Sequence, residues 1–133
     1  MNEQLKSVVR EVTEASDESR MVFPDVVKAL MEAGVERYHA DLMTATKTYY
    51  MPDGTFEAID CARTEMPAVS FSAERIESAV RAIQRHEIGY PEFCARIARA
   101  GCVGYFVSLA GRRAHYYGRT CDFYVERFPA AGP

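Results

Sequence analysis

Residues 23–56 read FPDVVKALMEAGVERYHADLMTATKTYYMPDGTF, and residues 90–123 read YPEFCARIARAGCVGYFVSLAGRRAHYYGRTCDF. Laid together at an offset of 67, they share eight identities in 34 ungapped positions: Pro24, Ala33, Gly34, Tyr38, Leu42, Tyr49, Tyr50 and Phe56. Chance at ordinary composition gives about two or three. Near-identities fill in around them, with Phe23 over Tyr90 and Asp25 over Glu92. The matches fall where local structure needs them, which points to an internal repeat.

Each half reads as two helices and then three strands. Leu5, Val8, Val9 and Val12 recur at helical spacing and mark a helix over about 3–17. Pro24 suits the first turn of a second helix, and Gly34 suits its stop. Strands follow near 35–42, 45–51 and 55–60, with Pro52-Asp53-Gly54 as the second turn. In the second half Ser72 caps a helix over about 73–87, and Phe71 can staple onto Ile76. Pro91 opens the next helix, Gly101 closes it, and strands follow near 102–109, 112–117 and 121–127.

A two-residue first turn makes paired residue numbers add to 87 in one half and 221 in the other, so Tyr38 faces Tyr49 and Tyr105 faces Tyr116. Alternation then sets the faces. Tyr38, Ala40, Leu42, Tyr49, Tyr105, Val107, Leu109, Ala114 and Tyr116 should meet the helices. Arg37, His39, Asp41, Tyr50, Arg113, His115 and Tyr117 fall on the other, open face. The fold expected is α+β: a duplicated α-α-β-β-β unit, an antiparallel sheet with helices on one face, and a pseudo-two-fold axis. The chain length suits one domain, with repeat halves of about 1–62 and 68–129 sharing one core.

Composition narrows the function classes. Of 133 residues, 48% are hydrophobic and 26% charged, with a formal charge of −3, which is a globular balance. The longest uncharged run, Ala100 to Gly111, has 12 residues, against the roughly 20 a membrane span needs. The N-terminus carries charges where a secretory signal has an apolar block, so a cytoplasmic, membrane-free protein is expected. The four cysteines, at 61, 94, 102 and 121, form no CxxC pair; reduced, mostly buried thiols are the expectation. No metal cluster and no cofactor motif can be written: GxGxxG, GxxxxGK[ST] and GxSxG are absent. His86 ends a helix, where an imidazolium suits the dipole.

Residues 67–133 carry nine arginines against six acids, yet Glu77/Arg81 and Glu92/Arg96 are spaced as helix ion pairs. Solvated helix faces therefore account for most of the charge; a nucleic-acid or phosphate binder using Arg112, Arg113 and Arg119 is a disfavoured alternative. The open face is the place for a site. Arg37, His39, Asp41, Tyr50, Arg113, His115 and Tyr117 form the candidate ligand-binding set, with Tyr50 and Tyr117 related by the repeat and able to line an inter-repeat cleft. Two further readings stand beside it: a small enzyme in which His39, Asp41 and His115 act as acid and base, and a plain solvated face. A sheet edge or face also offers a route to a homodimer.

The same residues carry a family resemblance. Phe23-Pro24, Ala33-Gly34-Val35, Thr48-Tyr49-Tyr50 and Pro52-Asp53-Gly54 are its first part; Gly101-Cys102-Val103-Gly104-Tyr105, Tyr117-Gly118-Arg119 and Val125-Glu126-Arg127-Phe128-Pro129 are its second. In this order and spacing, over about 22–129, the chain resembles the bacterial domain-of-unknown-function family 1398, the YbcV-like proteins, some labelled phage envelope protein. The resemblance implies a small soluble α+β protein and carries no catalytic residues. A non-enzymatic domain that binds a small ligand or a protein is the functional expectation.

Overall fold

The computed structural model describes residues 1–129. Its elements run α1 (Glu3–Asp17), α2 (Phe23–Glu32), β1 (Arg37–Asp41), β2 (Thr46–Tyr50), β3 (Phe56–Asp60), α3 (Ala73–Gln84), α4 (Tyr90–Arg99), β4 (Cys102–Ser108), β5 (Arg113–Gly118) and β6 (Phe123–Arg127). The six strands form one antiparallel sheet in the order β3-β2-β1-β4-β5-β6. The fold class is α+β, with four helices on an open sheet.

Local chemistry sets the helix ends. Asn2 Oδ1 accepts from Leu5 N at 2.9 Å, and Ser72 Oγ from Arg75 N at 3.2 Å, capping α1 and α3. Pro24 and Pro91 sit in the first turns of α2 and α4, where a missing N–H costs nothing. After α2, Gly34 N bonds Met31 O at 3.0 Å and Val35 N bonds Leu30 O at 3.0 Å, which is a Schellman stop. The same paired bonds end α1 at Ser19 and α3 at His86, both left-handed. His86 therefore lies just past the last turn.

Among the described residues, eight have positive φ: Ser19, Gly34, Ala45, Gly54, His86, Gly101, Arg112 and Cys121. The last four are the first four displaced by 67. Gly54 and Cys121 are one such pair, with φ of 91° and 66°. A cysteine carries a Cβ penalty there that glycine lacks. Cys121→Gly is expected to raise stability by roughly 0.5–1 kcal/mol, the left-handed penalty less the entropy glycine adds to the unfolded chain. A urea melt that shows no gain would refute that balance.

The expected register holds: Tyr38 pairs with Tyr49 and Tyr105 with Tyr116. Their ring centroids are 5.2 Å apart in both pairs. The connections differ from the two-residue turns expected. Residues 42–45 and 109–112 are four-residue turns whose last member has positive φ. Adding one residue on each side leaves the register unchanged. β1 and β4 join the halves, with Arg37 opposite Ser108 and Asp41 opposite Gly104.

The helix-side residues Tyr38, Ala40, Leu42, Tyr49, Tyr105, Val107, Leu109, Ala114 and Tyr116 are all buried. They share one core with Val9, Val12, Leu30, Ile76, Val80, Phe93 and Ile97 of the helices. Phe23 of α2 packs on Phe128, just past β6, with centroids 4.9 Å apart, while Tyr90 of α4 covers Lys47 of β2. Each second helix thus starts over the other half's strands.

Candidate ligand cavity

Two rows of side chains form the helix-facing side of the sheet. Strand pairing orders one row as Ile59, Lys47, Ala40, Tyr105, Tyr116 and Tyr124, and the other as Glu57, Tyr49, Tyr38, Val107, Ala114 and Glu126. Above them the starts of α2 and α4 stand apart. The gap is a cavity of about 530 Å³ floored by Tyr38, Tyr49, Tyr105 and Tyr116. Phe23, Val27 and Phe93 supply apolar wall, and the segments 18–22 and 85–89 both edge it. Cavities of this size and lining are typical of small-molecule sites.

Most polar groups on the floor are satisfied within the protein. Thr13 Oγ1 donates to Val9 O at 2.8 Å, so the Tyr49 hydroxyl donates to Thr13, also at 2.8 Å. The Tyr90 and Tyr105 hydroxyls meet at 2.6 Å. Tyr116 donates to Glu126 Oε1 at 2.7 Å, and Gln84 Nε2 donates to Oε2 at 2.9 Å. Burial pushes the Glu126 carboxyl up, and these two bonds hold it down only in part.

Two groups are different. Lys47 is 4% exposed, and no carboxylate of the described residues lies within 4 Å of its ammonium; the Tyr90 ring sits 4.2 Å away as a cation–π neighbour. Burial lowers its pKa. The Tyr38 hydroxyl likewise has no hydrogen bond among the described residues. Every fully enclosed side-chain nitrogen or oxygen among them does have a partner, so these two open into the cavity.

The open face carries the residues singled out from sequence, and it joins them in pairs rather than in one group. The Tyr117 hydroxyl and His39 Nε2 are hydrogen-bonded at 2.6 Å. Burial lowers the His39 pKa and lifts that of Tyr117 to about 12, which favours a neutral imidazole beside a neutral phenol. The Arg37 guanidinium lies 4.1 Å over the Tyr50 ring. Asp41 is engaged elsewhere: Oδ1 accepts from Met43 N at 2.9 Å and Thr44 N at 3.1 Å, tying the turn. Arg113 Nε bonds Gly111 O at 3.2 Å, and His115 stacks on Phe123 at 4.8 Å. Phe106 on β4 stands between His39 and His115, leaving them two strands apart, roughly 10 Å at the usual spacing. The face does not assemble His39, Asp41 and His115 into an acid–base unit.

The arginines near the turns are structural ties. Arg112 Nη2 bonds Pro129 O at 2.6 Å, and Arg119 Nη2 bonds Pro67 O at 2.7 Å. Glu77 and Arg81 pair as expected, whereas Glu92 pairs with Arg99 at 3.5 Å instead of Arg96. Cys94 and Cys102 are buried, Cys61 is half-buried and Cys121 exposed. Burial pushes the Cys94 thiol up to about 11 and Cys102 to about 12, the wrong direction for a thiolate nucleophile. Among the described residues no group of three His, Cys, Asp or Glu side chains could hold a metal ion, and no helix could cross a membrane.

Comparison with known proteins matches residues 17–126 to the model of a protein family of unknown function, DUF1398. The chain belongs to that family. Relatives include the uncharacterised proteins Rv2012 of Mycobacterium tuberculosis and Mb2035 of Mycobacterium bovis. Each is 31% identical over 116 residues, covering 84% of this chain and 69% of the relative. For this DUF1398 protein, sequence reasoning missed Lys47 and Glu126 as residues lining the cavity. The available signal was alternation: Thr46 and Thr48 face outward, which turns Lys47 inward.

Proposed function

We propose that this DUF1398 protein is a small-ligand binding module, without chemistry of its own, whose ligand occupies the cavity between the helices and the sheet. The observation that carries this is an apolar-walled cavity of about 530 Å³ into which two buried polar groups, Lys47 and Tyr38, open without protein partners. A core built for packing alone leaves neither the void nor the groups.

The halves are a duplication about a pseudo-two-fold axis through the β1–β4 pair. Four positive-φ pairs at an offset of 67 support it, as do α2/α4 and β3/β6, which occupy the same spans displaced by 67. Displacing both members of the Arg37/Ser108 pair by 67, in opposite senses, returns Gly104/Asp41, another pair of the same ladder. Under that axis the cavity is the inter-repeat seam. Lys47 corresponds to Ala114 and Ile59 to Glu126, so its two ends differ chemically and a ligand has one preferred direction.

The test is binding of an uncharged apolar fluorophore, N-phenyl-1-naphthylamine, with Val27→Trp as the filled control. Fluorescence gain and a raised melting temperature are expected for the natural chain, and neither for Val27→Trp. A probe that binds both chains equally, or failure of both this probe and an anionic one of the same shape to bind the natural chain, would refute the cavity as the site. A second reading, favoured by the His39–Tyr117 and Arg37–Tyr50 pairs, is a surface site on the open face made of Arg37, His39, Asp41, Tyr50, Arg113, His115 and Tyr117. Phe56, Phe106 and Phe123 are exposed there, where a second copy would seat in a homodimer. That reading requires Tyr50→Ala or Tyr117→Ala to weaken binding more than stability.

A further inference from the structure

The cavity's charges do not balance, and the imbalance selects a ligand. Four residues on its wall can carry charge: Lys47, His86, Arg112 and Glu126. Glu126 is already bonded at both oxygens, by Tyr116 and Gln84. Arg112 is turned to Pro129 O. His86 stands at the rim, in the loop after α3. Lys47 alone lies deep, with no carboxylate of the described residues within 4 Å. Its neighbours are the Tyr90 ring at 4.2 Å and the thiols of Cys61 and Cys94; Asp17, the next acid outward, has Oδ2 engaged by Ala62 N at 2.9 Å. A buried ammonium is best tolerated when an anion contacts it directly; Asp17 acts on Lys47 only from a distance, and no carboxylate of the described residues lies within 4 Å.

Resting on the cavity reading, we infer that the ligand is an organic anion: an apolar, aromatic or aliphatic body ending in one carboxylate or equivalent acid group that meets the Lys47 ammonium. Tyr38 sits on the adjacent strand, one step diagonally from Lys47, because Lys47 pairs with Ala40. Diagonal neighbours on one sheet face lie about 7–8 Å apart, close enough for one acid group to bridge two long side chains. The acid therefore receives a charged bond from Lys47 and a neutral one from Tyr38. The remaining body lies over Tyr105, Tyr116 and Val107, toward the other half. Glu126 stands at that far end and disfavours a second negative charge, so a monoanion is preferred over a dianion.

The experiment compares two probes of the same shape class on the full chain: 1-anilinonaphthalene-8-sulfonate, which carries one negative charge, and uncharged N-phenyl-1-naphthylamine. The anion is expected to bind the natural chain more tightly, and Lys47→Met to weaken it by roughly 10- to 100-fold, the size of one charge-assisted hydrogen bond. Lys47→Met should leave the neutral probe unchanged or tighter. Tyr38→Phe, which removes one oxygen from a buried ring, should weaken the anion by a smaller factor and spare the neutral probe. If both probes bind and neither variant separates them, the anion inference is overturned while the cavity reading stands. If neither probe binds the natural chain, the cavity reading falls and takes the inference with it.

Discussion

Gly101→Ala is expected to cost about 2–5 kcal/mol, while Gly34→Ala, its twin in the first half, costs only about 1–2 kcal/mol. Both glycines end a second helix and both have positive φ, 85° at Gly34 and 92° at Gly101. The left-handed penalty is therefore common to the two. Their surroundings differ. A Cβ on Gly34 meets only the end of the Met51 side chain, at 3.5 Å, which is ordinary contact. A Cβ on Gly101 would overlap Ser70 O and stand 2.7 Å from Phe71 Cα, both backbone. That backbone is pinned: Ala68 N bonds Ala98 O at 2.9 Å, and Ser72 N bonds Ala100 O at 2.8 Å. Relief requires moving the strap that leads into α3, so overpacking adds to the conformational cost. Urea denaturation of the two variants side by side is the measurement. Equal losses would mean that the strap yields and that left-handed strain alone governs both sites.

The strap shows what sequence could and could not reveal. Pro24, Pro91, Gly34 and Gly101 announced the ends of α2 and α4, because those ends are fixed by one residue's own φ or missing donor. The tyrosine pairs announced the register, because a period of two leaves only two choices of face and one of them exposes Tyr38, Tyr49, Tyr105 and Tyr116. Alternation therefore placed every open-face residue correctly. What it could not weigh was how each side chain would be engaged. Asp41 reads as an orienting partner for His39 two residues away, yet its carboxylate caps the four-residue turn. Ser108, at the equivalent place, accepts from Gly111 N at 2.9 Å and does the same job. The cavity was invisible for another reason. It exists because α2 and α4 each reach across to the other half and leave a gap between them, and that distance is a property of the assembled layers. Lys47 read as one more charge in a polar strand, and only the depth of that gap makes it unusual.

Lys47→Met is expected to stabilise the ligand-free protein by about 1–3 kcal/mol, the opposite sign to most core substitutions. Methionine matches the stem in length and fills it with apolar atoms, while the ammonium it replaces lies buried without a counter-ion. The Tyr90 ring offsets part of that cost through its cation–π contact and keeps the gain from being larger. The pH dependence follows from the same burial. The Lys47 pKa is lowered in the folded chain relative to 10.5, so between the folded value and 10.5 the unfolded chain holds more protons. Across that window the natural protein gains stability as pH rises, and its deficit against Lys47→Met closes toward 10.5. Burial raises the pKa values of Tyr38, Tyr105 and Tyr116, which weakens the fold above about pH 10, but it does so in both proteins and drops out of their difference. Paired melts at neutral and alkaline pH therefore isolate one side chain. A variant less stable than the natural chain at neutral pH would mean that Lys47 has found its counter-charge within the protein. The equivalent position in the other half is Ala114, buried and apolar, which shows that this place in the strand can be filled for packing alone. Under the proposed binding function, a lysine held there at a cost to the fold is kept for what it binds.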